Sequence, residues 1–329
     1  MGTLLVHISD TPEPGELAHL RARLDAGVEL TLGPDLPADP SFEVLVAGVP
    51  SAEELDASPV LGVLLIPWAG LPRATRALML ERPEIAVHNI HHNAVAASEL
   101  AAALLLAAAK RVVPLDAALR RNDWRPRYEQ NQAVLLEGKR ALVLGYGAVG
   151  RRIAAVCRGL GMSISAIRRR AGEATAGCPD QIHTPEALHD LLPRADALLI
   201  ALPFTEATKG LIGEEELSLL PRDAIVVNVA RGRVVEERAL YRALAGRAIR
   251  AAGIDVWYNY PESEDDRQHT PPSEFPFHEL SNVVMSPHRA GAFGVGELEA
   301  ARTEALADAI NAAARGEEIP FRVDVREGY

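Results

Sequence analysis

The 329-residue sequence has few cysteines, no excess of basic residues and no long hydrophobic run. Cys157 and Cys178, its two cysteines, form no disulfide framework and stand at no zinc-ligand spacing from histidines, which indicates a reducing compartment and predicts the cytoplasm. A formal net charge of −11 leaves no general basic field for a polyanion, so nucleic acid is not an expected partner. The alanine-rich run at 100–109 is too short to span a bilayer, and the N-terminus lacks the pattern of a secretory signal, so no membrane association is expected.

The bulk composition is that of a folded globular protein. Hydrophobic residues make up 48% of the chain and charged residues 24%, which argues against disorder and against a fibrous protein. Because the length exceeds what one hydrophobic core usually supports, we expect two domains.

Short apolar runs alternate with helical stretches over the first hundred residues. Such alternation predicts a parallel sheet. The predicted strands are Leu4–Ile8, Val28–Leu32, Val44–Ala47 and Val60–Ile66, and the predicted helices are Glu16–Leu24 and Arg73–Leu80.

One long helix is predicted over Ala97–Leu119, followed by a polar excursion over Arg121–Gln132 and a second βαβ pattern from Arg140. Six strands fit a doubly wound dinucleotide domain. The candidates are Ala141–Leu144, Ser163–Ile167, Ala197–Leu202, Ala224–Val229, Ala252–Val256 and Val283–Ser286. The amphipathic run Val295–Arg315 is expected to pack back on the first domain, which would make that domain discontinuous.

A glycine-rich turn, G-Y-G-A-V-G, follows the strand A-L-V-L and opens an amphipathic helix. In this context Gly145 permits a tight turn, Gly147 lets the backbone approach a pyrophosphate, and Gly150 lets the helix pack closely on the strand. A purely structural glycine turn is the alternative, but the strand before and the helix after favour dinucleotide binding.

The run Arg168-Arg169-Arg170 ends the next predicted strand, where an acidic residue for the ribose 2′-hydroxyl is usual. Guanidinium groups attract a 2′-phosphate with charge-assisted contacts, whereas a carboxylate repels it. The sequence therefore predicts NADP as the cofactor, with NAD as second choice. The alternative is three arginines on a solvated loop.

Two further runs supply the groups that hydride transfer to a 2-oxo acid requires. Arg231, in N-V-A-R-G-R-V-V-E-E, offers two parallel donors to a carboxylate, and His288, in M-S-P-H-R-A-G, can exchange a proton near neutral pH. Taken singly, they could be a surface arginine and a structural histidine at the end of a strand. Together with the glycine turn they predict catalysis.

Four runs in this order resemble the D-isomer-specific 2-hydroxyacid dehydrogenase family over nearly the whole chain. They are L-V-L-G-Y-G-A-V-G-R, L-L-I-A-L-P-F-T-E-A-T-K-G-L-I, V-N-V-A-R-G-R-V-V-E-E and V-V-M-S-P-H-R-A-G. The resemblance implies an α/β fold of two domains, in which a Rossmann-type doubly wound parallel sheet is inserted into a smaller flavodoxin-like substrate domain. The expected boundaries are 1–98 and 292–329 for the substrate domain and 99–291 for the dinucleotide-binding domain, and a homodimer is expected through the latter.

The resemblance also implies roles for individual residues. Arg231 resembles the family's substrate-binding arginine, His288 its general acid, and Asp255 its contact to the nicotinamide carboxamide. Other residues resemble cofactor-lining positions, namely Tyr146, Ala148, Val149, Leu202, Pro203, Thr208, Val229, Ala230 and Gly291. The run I-P-W-A-G-L resembles the family's substrate loop, with Trp68, Ala69, Gly70 and Leu71 as candidates, although Trp68 could instead be a core residue.

Tyr260 is the main departure from the family pattern, because the family usually has a glutamate at this position to charge-stabilise the histidine. A phenol is neutral near pH 7 and could orient the imidazole without favouring its protonated form. We therefore expect a lower pKa for His288 than in relatives with the glutamate. Glu262 or Glu264 could supply a carboxylate if the loop takes another path.

The remaining candidates give weaker signals. His91-His92 could suggest a metal, but adjacent histidines on an extended segment point apart and no further ligands are evident, so no metal is expected. Cys157 is expected in the core.

The predicted function is NADP(H)-dependent reduction of a small 2-oxo acid such as glyoxylate or hydroxypyruvate. One alternative is a non-catalytic dinucleotide-sensing scaffold of the corepressor type, and another is a formate- or phosphite-like dehydrogenase. A phosphoglycerate dehydrogenase with a regulatory tail is less expected, because little sequence follows Arg315.

Overall fold

The computed structural model describes residues 3–130, 133–169, 180–291 and 294–329. The chain divides into two compact units, Met1–Asn93 with Ala292–Tyr329 (unit 1) and Ala94–Gly291 (unit 2). Unit 2 starts where a helix starts, whereas the boundary predicted at residue 98 lies inside that helix. The substrate-binding and cofactor-binding roles of the two units stay predictions.

Unit 1 contains a five-stranded parallel sheet in the order β2-β1-β3-β4-β5, the flavodoxin-like order that the resemblance implied. Its elements up to residue 93 are β1 (Leu4–Ile8), α1 (Pro14–Arg23), β2 (Val28–Leu32), β3 (Val44–Val46), α2 (Ala52–Ala57), β4 (Val63–Ile66), α3 (Arg73–Leu80) and β5 (Ala86–Asn89). The bounds predicted for β1, β2 and α3 are confirmed. The start predicted for β4 at Val60 is wrong, because Leu61 closes a turn by donating to the Ser58 carbonyl.

Unit 2 contains a parallel sheet that has seven strands among the described residues, in the order β12-β11-β10-β9-β6-β7-β8. Its elements are α4 (Ala94–Lys110), α5 (Val112–Leu119), α6 (Arg125–Tyr128), β6 (Arg140–Leu144), α7 (Ala148–Gly159), β7 (Ser163–Ile167), β8 (Gln181–His183), α8 (Leu188–Leu191), β9 (Ala197–Ile200), α9 (Glu214–Leu219), β10 (Ile225–Asn228), α10 (Glu237–Ala245), β11 (Ala251–Ile254) and β12 (Val283–Met285). The strand order reverses between β6 and β9, which confirms the doubly wound class and places its ligand-binding edge at the carboxyl ends of these strands.

Two expectations for unit 2 are wrong. The single helix predicted over Ala97–Leu119 is two helices that meet at Arg111, whose φ is 57°. Pro114 explains the break, because its ring would clash with the Lys110 carbonyl in a continuous helix and it has no N–H to donate. The sheet also gains β8, a three-residue strand too short to give a periodic signal in the sequence.

The C-terminal helix α11 (Gly296–Arg315) returns the chain to unit 1, as expected. Its Leu306 and Ile310 share a buried cluster with Val6 and Ile8 of β1. In unit 2 the residues of β6 alternate between two buried clusters, one on each face of the sheet, so both faces are covered. Within the described segments, every helix is too short or too polar to reach across a bilayer.

Candidate active site

The three glycines of the turn after β6 meet three different steric demands. Gly145 has a φ of +93°, and a Cβ there would lie 2.6 Å from the Ala201 carbonyl oxygen. A Cβ on Gly150 would lie 1.8 Å from the Gly145 oxygen, whereas one on Gly147 would meet nothing within 4 Å. The open space at Gly147 lies at the N-terminus of α7, where first-turn N–H groups lack helical partners. These residues therefore fit a dinucleotide pyrophosphate.

The residues around this turn form its walls. Tyr146 is buried, and the Arg151 guanidinium carbon lies 5.6 Å from the centroid of its ring. Ala148 and Val149 are half-buried in the first turn of α7. In the loop after β9, Leu202 and Pro203 are half-buried.

Thr208 closes that loop. Its hydroxyl donates to the Pro203 carbonyl at 2.7 Å and accepts from the Thr205 N–H at 2.8 Å. Because β9 is the neighbour of β6, the loop follows the strand that borders the glycine turn.

The arginine run follows β7, the other neighbour of β6. The backbone N–H of Arg168 donates to the His183 carbonyl at 3.0 Å, and its side chain is half-buried. Arg169 is exposed. Both therefore follow the strand next to the glycine turn at the carboxyl edge, while Arg170 and Cys178 lie outside the described residues.

Arg231 follows β10 in a backbone held by the side chain of Asn228. The Asn228 amide oxygen accepts from the Ala230 N–H at 3.0 Å, and its amide nitrogen donates to the Arg231 carbonyl at 3.1 Å. Val229 and Ala230 are buried, whereas the Arg231 side chain is exposed and donates to the Ala230 carbonyl at 2.7 Å. The guanidinium therefore lies at the carboxyl edge of the sheet with its charge open to solvent.

His288 lies in a turn after β12 that the fully buried Asp255 organises. Asp255 accepts from the Ser286 hydroxyl at 2.5 Å, the Arg289 N–H at 2.8 Å and the Ala290 N–H at 2.9 Å through its carboxylate. Its backbone carbonyl accepts from the His288 N–H at 2.8 Å. These bonds hold His288 at a φ of +57°, a region that costs a non-glycine residue about 1 kcal/mol or more.

The sequence pattern assigned Asp255 to the cofactor and gave Ser286 no role. The structure uses the carboxylate to shape the histidine turn, and it places Gly291, which is half-buried, at the end of that turn. The sequence signal that could have pointed to Ser286 is its hydroxyl, two positions before His288.

Tyr260 lies beside His288. The centroids of the two rings are 5.4 Å apart with an interplanar angle of 56°, and the Tyr260 oxygen accepts from the Trp257 N–H at 3.0 Å. Glu262 and Glu264 are exposed, and Glu264 pairs with Arg267. Over the described ranges, no carboxylate is hydrogen-bonded to the His288 imidazole, and the phenol of Tyr260 lies beside it.

The electrostatics of the site favour neutral side chains around Arg231. Burial lowers the pKa of His288 and the positive charge of Arg231 lowers it further, while Asp255 opposes both effects. Burial raises the pKa of Tyr260, against the Trp257 N–H and Arg231, which lower it. Arg231, Tyr260 and His288 follow β10, β11 and β12, which are neighbouring parallel strands, so all three lie at the same edge of the sheet.

The candidate substrate loop belongs to unit 1 and follows β4. Trp68 is 37% exposed, and its indole fills the space beside Gly48, where a Cβ would lie 1.8 Å from a ring carbon. Gly70 has a φ of +97°, and the Asn89 side-chain amide donates to its carbonyl at 3.4 Å. Ala69 and Leu71 flank Gly70 and are half-buried.

His91 and His92 have separate surroundings in unit 1. The His91 ring meets the Phe321 ring edge-on, with centroids 4.7 Å apart. Burial lowers the pKa of His92 to about 4, and Arg302 contributes in the same direction. In the part of the chain that the structure describes, no group of three or more His, Cys, Asp or Glu side chains could hold a metal ion. Cys157 lies in the buried core, as expected.

The doubly wound sheet and its glycine turn define a dinucleotide-binding protein of the Rossmann class. Residues 102–290, more than half of the chain, match the family model of the D-isomer specific 2-hydroxyacid dehydrogenase, NAD binding domain. The chain therefore belongs to this family.

Curated relatives are named for two different activities. The chain is 32% identical over 336 aligned residues to a D-3-phosphoglycerate dehydrogenase of Mycobacterium tuberculosis, with 100% of this chain and 60% of that protein covered. It is 35% identical over 232 residues to a glyoxylate reductase of Korarchaeum cryptofilum, with 69% of this chain and 65% of that protein covered. The chain thus spans less than two thirds of the length of these relatives.

Solved structures share the fold. The structure of an NADPH-dependent glyoxylate/hydroxypyruvate reductase from Sinorhizobium meliloti, in complex with NADP and sulfate, matches with a TM-score of 0.76 at 19% identity, covering 99% of this chain and 100% of that one. At this identity the match speaks for the fold alone.

Proposed function

We propose that this chain is an NADP(H)-dependent reductase of small 2-oxo acids such as glyoxylate or hydroxypyruvate, producing the D-2-hydroxy acid. The observation that carries the proposal is that Arg231 and His288 follow β10 and β12 at the carboxyl edge of the sheet that carries the glycine turn, with the turn of His288 held by the buried Asp255. A glyoxylate reductase among the relatives supports the substrate class, and the phosphoglycerate dehydrogenases support a 2-hydroxy acid more broadly.

Each residue of the site would make one contribution to the reduction. The Arg231 guanidinium would bind the substrate carboxylate through two parallel N–H donors. A reduced nicotinamide, when bound at the glycine turn, would supply a hydride to the carbonyl carbon and would itself be oxidised. His288 would give its proton to the carbonyl oxygen, and in the reverse direction its neutral imidazole would take the proton back.

The rate of the reaction in each direction would depend on the charge of His288. Because burial and Arg231 lower its pKa, less of the imidazole is protonated at neutral pH than in an ordinary histidine. Reduction, which needs the protonated form, is expected to rise as the pH falls toward that pKa, and oxidation is expected to be favoured above it.

The preference for NADP(H) is supported by Arg168 and Arg169, which follow the strand next to the glycine turn. Replacing Arg168 by Ala should raise the KM for NADPH by about tenfold or more and leave the KM for NADH nearly unchanged, since only the former carries the 2′-phosphate. Equal effects on both cofactors would count against this preference.

The test of the proposal is a spectrophotometric screen of 2-oxo acids with NADPH and NADH in parallel. Turnover of glyoxylate or hydroxypyruvate with NADPH is expected, with a loss of about 100-fold or more in His288→Gln. Arg231→Lys should raise the substrate KM, because a point charge replaces a bidentate fork. Cofactor binding with no turnover of any 2-oxo acid would instead support a dinucleotide-sensing scaffold.

A second candidate is a dehydrogenase of another small anion, of the formate or phosphite type. The formate dehydrogenases resemble this family and also lack the glutamate, and in this chain the Tyr260 ring lies beside His288. The same screen, run with formate and phosphite in the oxidative direction, separates this candidate from the first.

The proposal includes a cytoplasmic homodimer that forms through unit 2. Several large apolar side chains are exposed on α5 and the segment after it, and exposed apolar surface is typical of interfaces. They are Val112, Val113, Leu115, Leu119 and Trp124. Leu115→Asp combined with Leu119→Asp should yield a monomer by light scattering, and a wild-type chain that is monomeric would exclude the dimer.

A further inference from the structure

Trp257 is a buried residue two positions after Asp255, and the sequence pattern gave it no role. Its backbone N–H donates to the Tyr260 oxygen at 3.0 Å. This bond fixes the phenol whose ring lies against the His288 imidazole. The main chain of Trp257 therefore sets one wall of the histidine.

The indole of Trp257 reaches the histidine turn from another direction. Its Nε1–H donates to the Ser286 carbonyl at 2.8 Å. Ser286 lies two positions before His288, and its hydroxyl donates to the Asp255 carboxylate. The same side chain thus anchors the start of the turn that holds His288 in its left-handed conformation.

The carbonyl of Trp257 meets the chain that carries Arg231. A Cβ on Gly232 would lie 2.2 Å from the Trp257 oxygen and 2.6 Å from its carbonyl carbon. This close approach requires glycine at position 232. The backbone directly after Arg231 therefore packs against the Trp257 carbonyl. The indole is itself anchored edge-on against the buried Phe277 ring, with centroids 5.9 Å apart.

We propose that Trp257 is the positioning residue of the site, a single buried side chain and its peptide groups that hold Arg231, Tyr260 and His288 in one arrangement. This inference rests on the proposed function, since it assigns the three residues to one reaction. Trp257 itself would touch neither substrate nor cofactor. Its contribution would be to limit the imidazole and the guanidinium to the orientation that proton transfer and carboxylate binding need.

The main test is Trp257→Phe, which keeps a ring against Phe277 but removes the indole N–H. The Ser286 carbonyl loses its donor, so the turn carrying His288 should loosen. We expect kcat to fall by about 10- to 100-fold, the size of effect that a small misplacement of a catalytic group produces. The KM for the cofactor should change by less than about twofold, because the glycine turn is untouched.

Tyr258→Phe is the matched control. It removes one hydrogen bond from the next residue along the chain, where the Tyr258 hydroxyl donates to the Val235 carbonyl at 3.1 Å. Both variants lose one buried donor, but Tyr258 makes no contact with Arg231, Tyr260 or His288 in the hydrogen bonds and ring contacts of the described residues. Tyr258→Phe should therefore lose stability without losing kcat.

A second readout needs no substrate. The NMR titration of His288, assigned by the signal that disappears in His288→Gln, should change its midpoint in Trp257→Phe and stay unchanged in Tyr258→Phe. Equal kcat values and equal titration curves for these two variants would overturn the proposal. If Trp257→Phe does not fold, Tyr260→Phe removes the acceptor of the Trp257 N–H, and wild-type titration and kcat in that variant would overturn it too.

The two proposals fail in distinguishable ways. A wild-type chain that turns over no 2-oxo acid, formate or phosphite refutes the proposed function. The His288 titrations still decide whether Trp257 positions the imidazole, because they are recorded without any reaction.

Discussion

The two units satisfy their buried polar groups in opposite ways. In unit 2 the buried ionisable group at the site is Asp255, whose carboxylate accepts three donors. In unit 1 the corresponding groups are four histidines, two buried and two half-buried, and burial is the largest cause of the lowered pKa of each. They are His7, His88, His91 and His92. Unit 2 thus holds a buried charge with hydrogen bonds and has one histidine, His288, with a pKa lowered by burial, whereas unit 1 has four such histidines.

This difference predicts where each unit is vulnerable. When a hydrogen-bond donor or the carboxylate itself is removed from a saturated network, a buried polar group loses its partner and the folded state is destabilised. Unit 2 should therefore be sensitive to single substitutions at the site. The folded state is destabilised when a neutral imidazole that is shielded from solvent gains a proton, so unit 1 should be sensitive to acid.

The largest effect is expected for Gly150→Ala in unit 2. The new Cβ would lie 1.8 Å from the Gly145 oxygen, and since that atom is backbone, α7 must shift. We expect a loss of about 3 kcal/mol in the free energy of unfolding, at the upper end of overpacking effects.

Gly147→Ala is the paired variant, because its Cβ meets open space and its φ of −91° suits alanine. It should keep the wild-type stability and weaken cofactor binding by about tenfold, since the backbone could no longer approach the pyrophosphate as closely. Urea denaturation and cofactor titration measure the two effects. Equal stability losses in both variants would mean that the two glycines do not differ in role.

Asp255→Asn should give the next largest effect. An amide has one acceptor oxygen for the Ser286 hydroxyl and the two N–H groups of Arg289 and Ala290, so at least one buried donor loses its partner. We expect about 2 kcal/mol of lost stability by urea denaturation.

Asp223→Asn provides the control for a lost carboxylate, because Asp223 pairs with Arg250 near the surface. That substitution should cost less than about 1 kcal/mol. Similar losses for Asp255→Asn and Asp223→Asn would contradict the view that Asp255 is held by a saturated network.

Much of the fold could be predicted from the sequence, because strands buried on both faces are uniformly apolar and glycines mark their ends. The sequence also predicts the observed bounds of the strand Ser163–Ile167 and of the helix Arg73–Leu80. Two features of the fold, one strand and one helix break, could not be found this way. Gln181–His183 is too short for a period, and the break at Arg111 depends on a proline three residues further on.

The candidate site was predictable only for groups with distinctive chemistry. Arg231 and His288 carry side chains that bind anions and exchange protons, so motif reasoning selects them. Ser286 and Trp257 act through a hydroxyl and an indole N–H to partners 31 and 29 residues away in the chain, and no local pattern records such pairs. The positive φ of His288 likewise follows from Asp255 and not from its own sequence neighbours.

Tyr260→Glu should change the site's titration and not its stability. A carboxylate beside the imidazole favours its protonated form, so the pKa of His288 should rise by about one unit. The reductive activity should then persist to a pH about one unit higher. The His288 NMR titration and the pH–rate profile of reduction measure these shifts.

Tyr260→Gln is the neutral control for the glutamate variant. It has the length and hydrogen-bonding capacity of the glutamate but no charge, so the pKa of His288 should be about one unit lower in Tyr260→Gln than in Tyr260→Glu. If the two variants titrate alike, charge at position 260 does not control the imidazole.

The smallest effect is expected in unit 1 on acidification. Its four histidines have folded-state pKa values below the ordinary 6.5, so the folded state binds fewer protons than the unfolded one in this range. Their contribution to stability is complete above pH 6.5 and is lost as the pH falls below that value, with the loss for His92 continuing to about pH 4. Hydrogen exchange should therefore accelerate in unit 1 peptides over this window before it does in unit 2.

His92→Gln tests the assignment of this acid sensitivity to buried imidazoles. Glutamine cannot gain a proton, and His92 lies beside Arg302, whose charge opposes protonation. The variant should therefore shift the acid midpoint of unit 1 downward by about half a pH unit. His269→Gln, on an exposed turn of unit 2, should leave that midpoint unchanged. An unshifted midpoint in His92→Gln would place the acid sensitivity of unit 1 in other groups and remove the contrast between the two units.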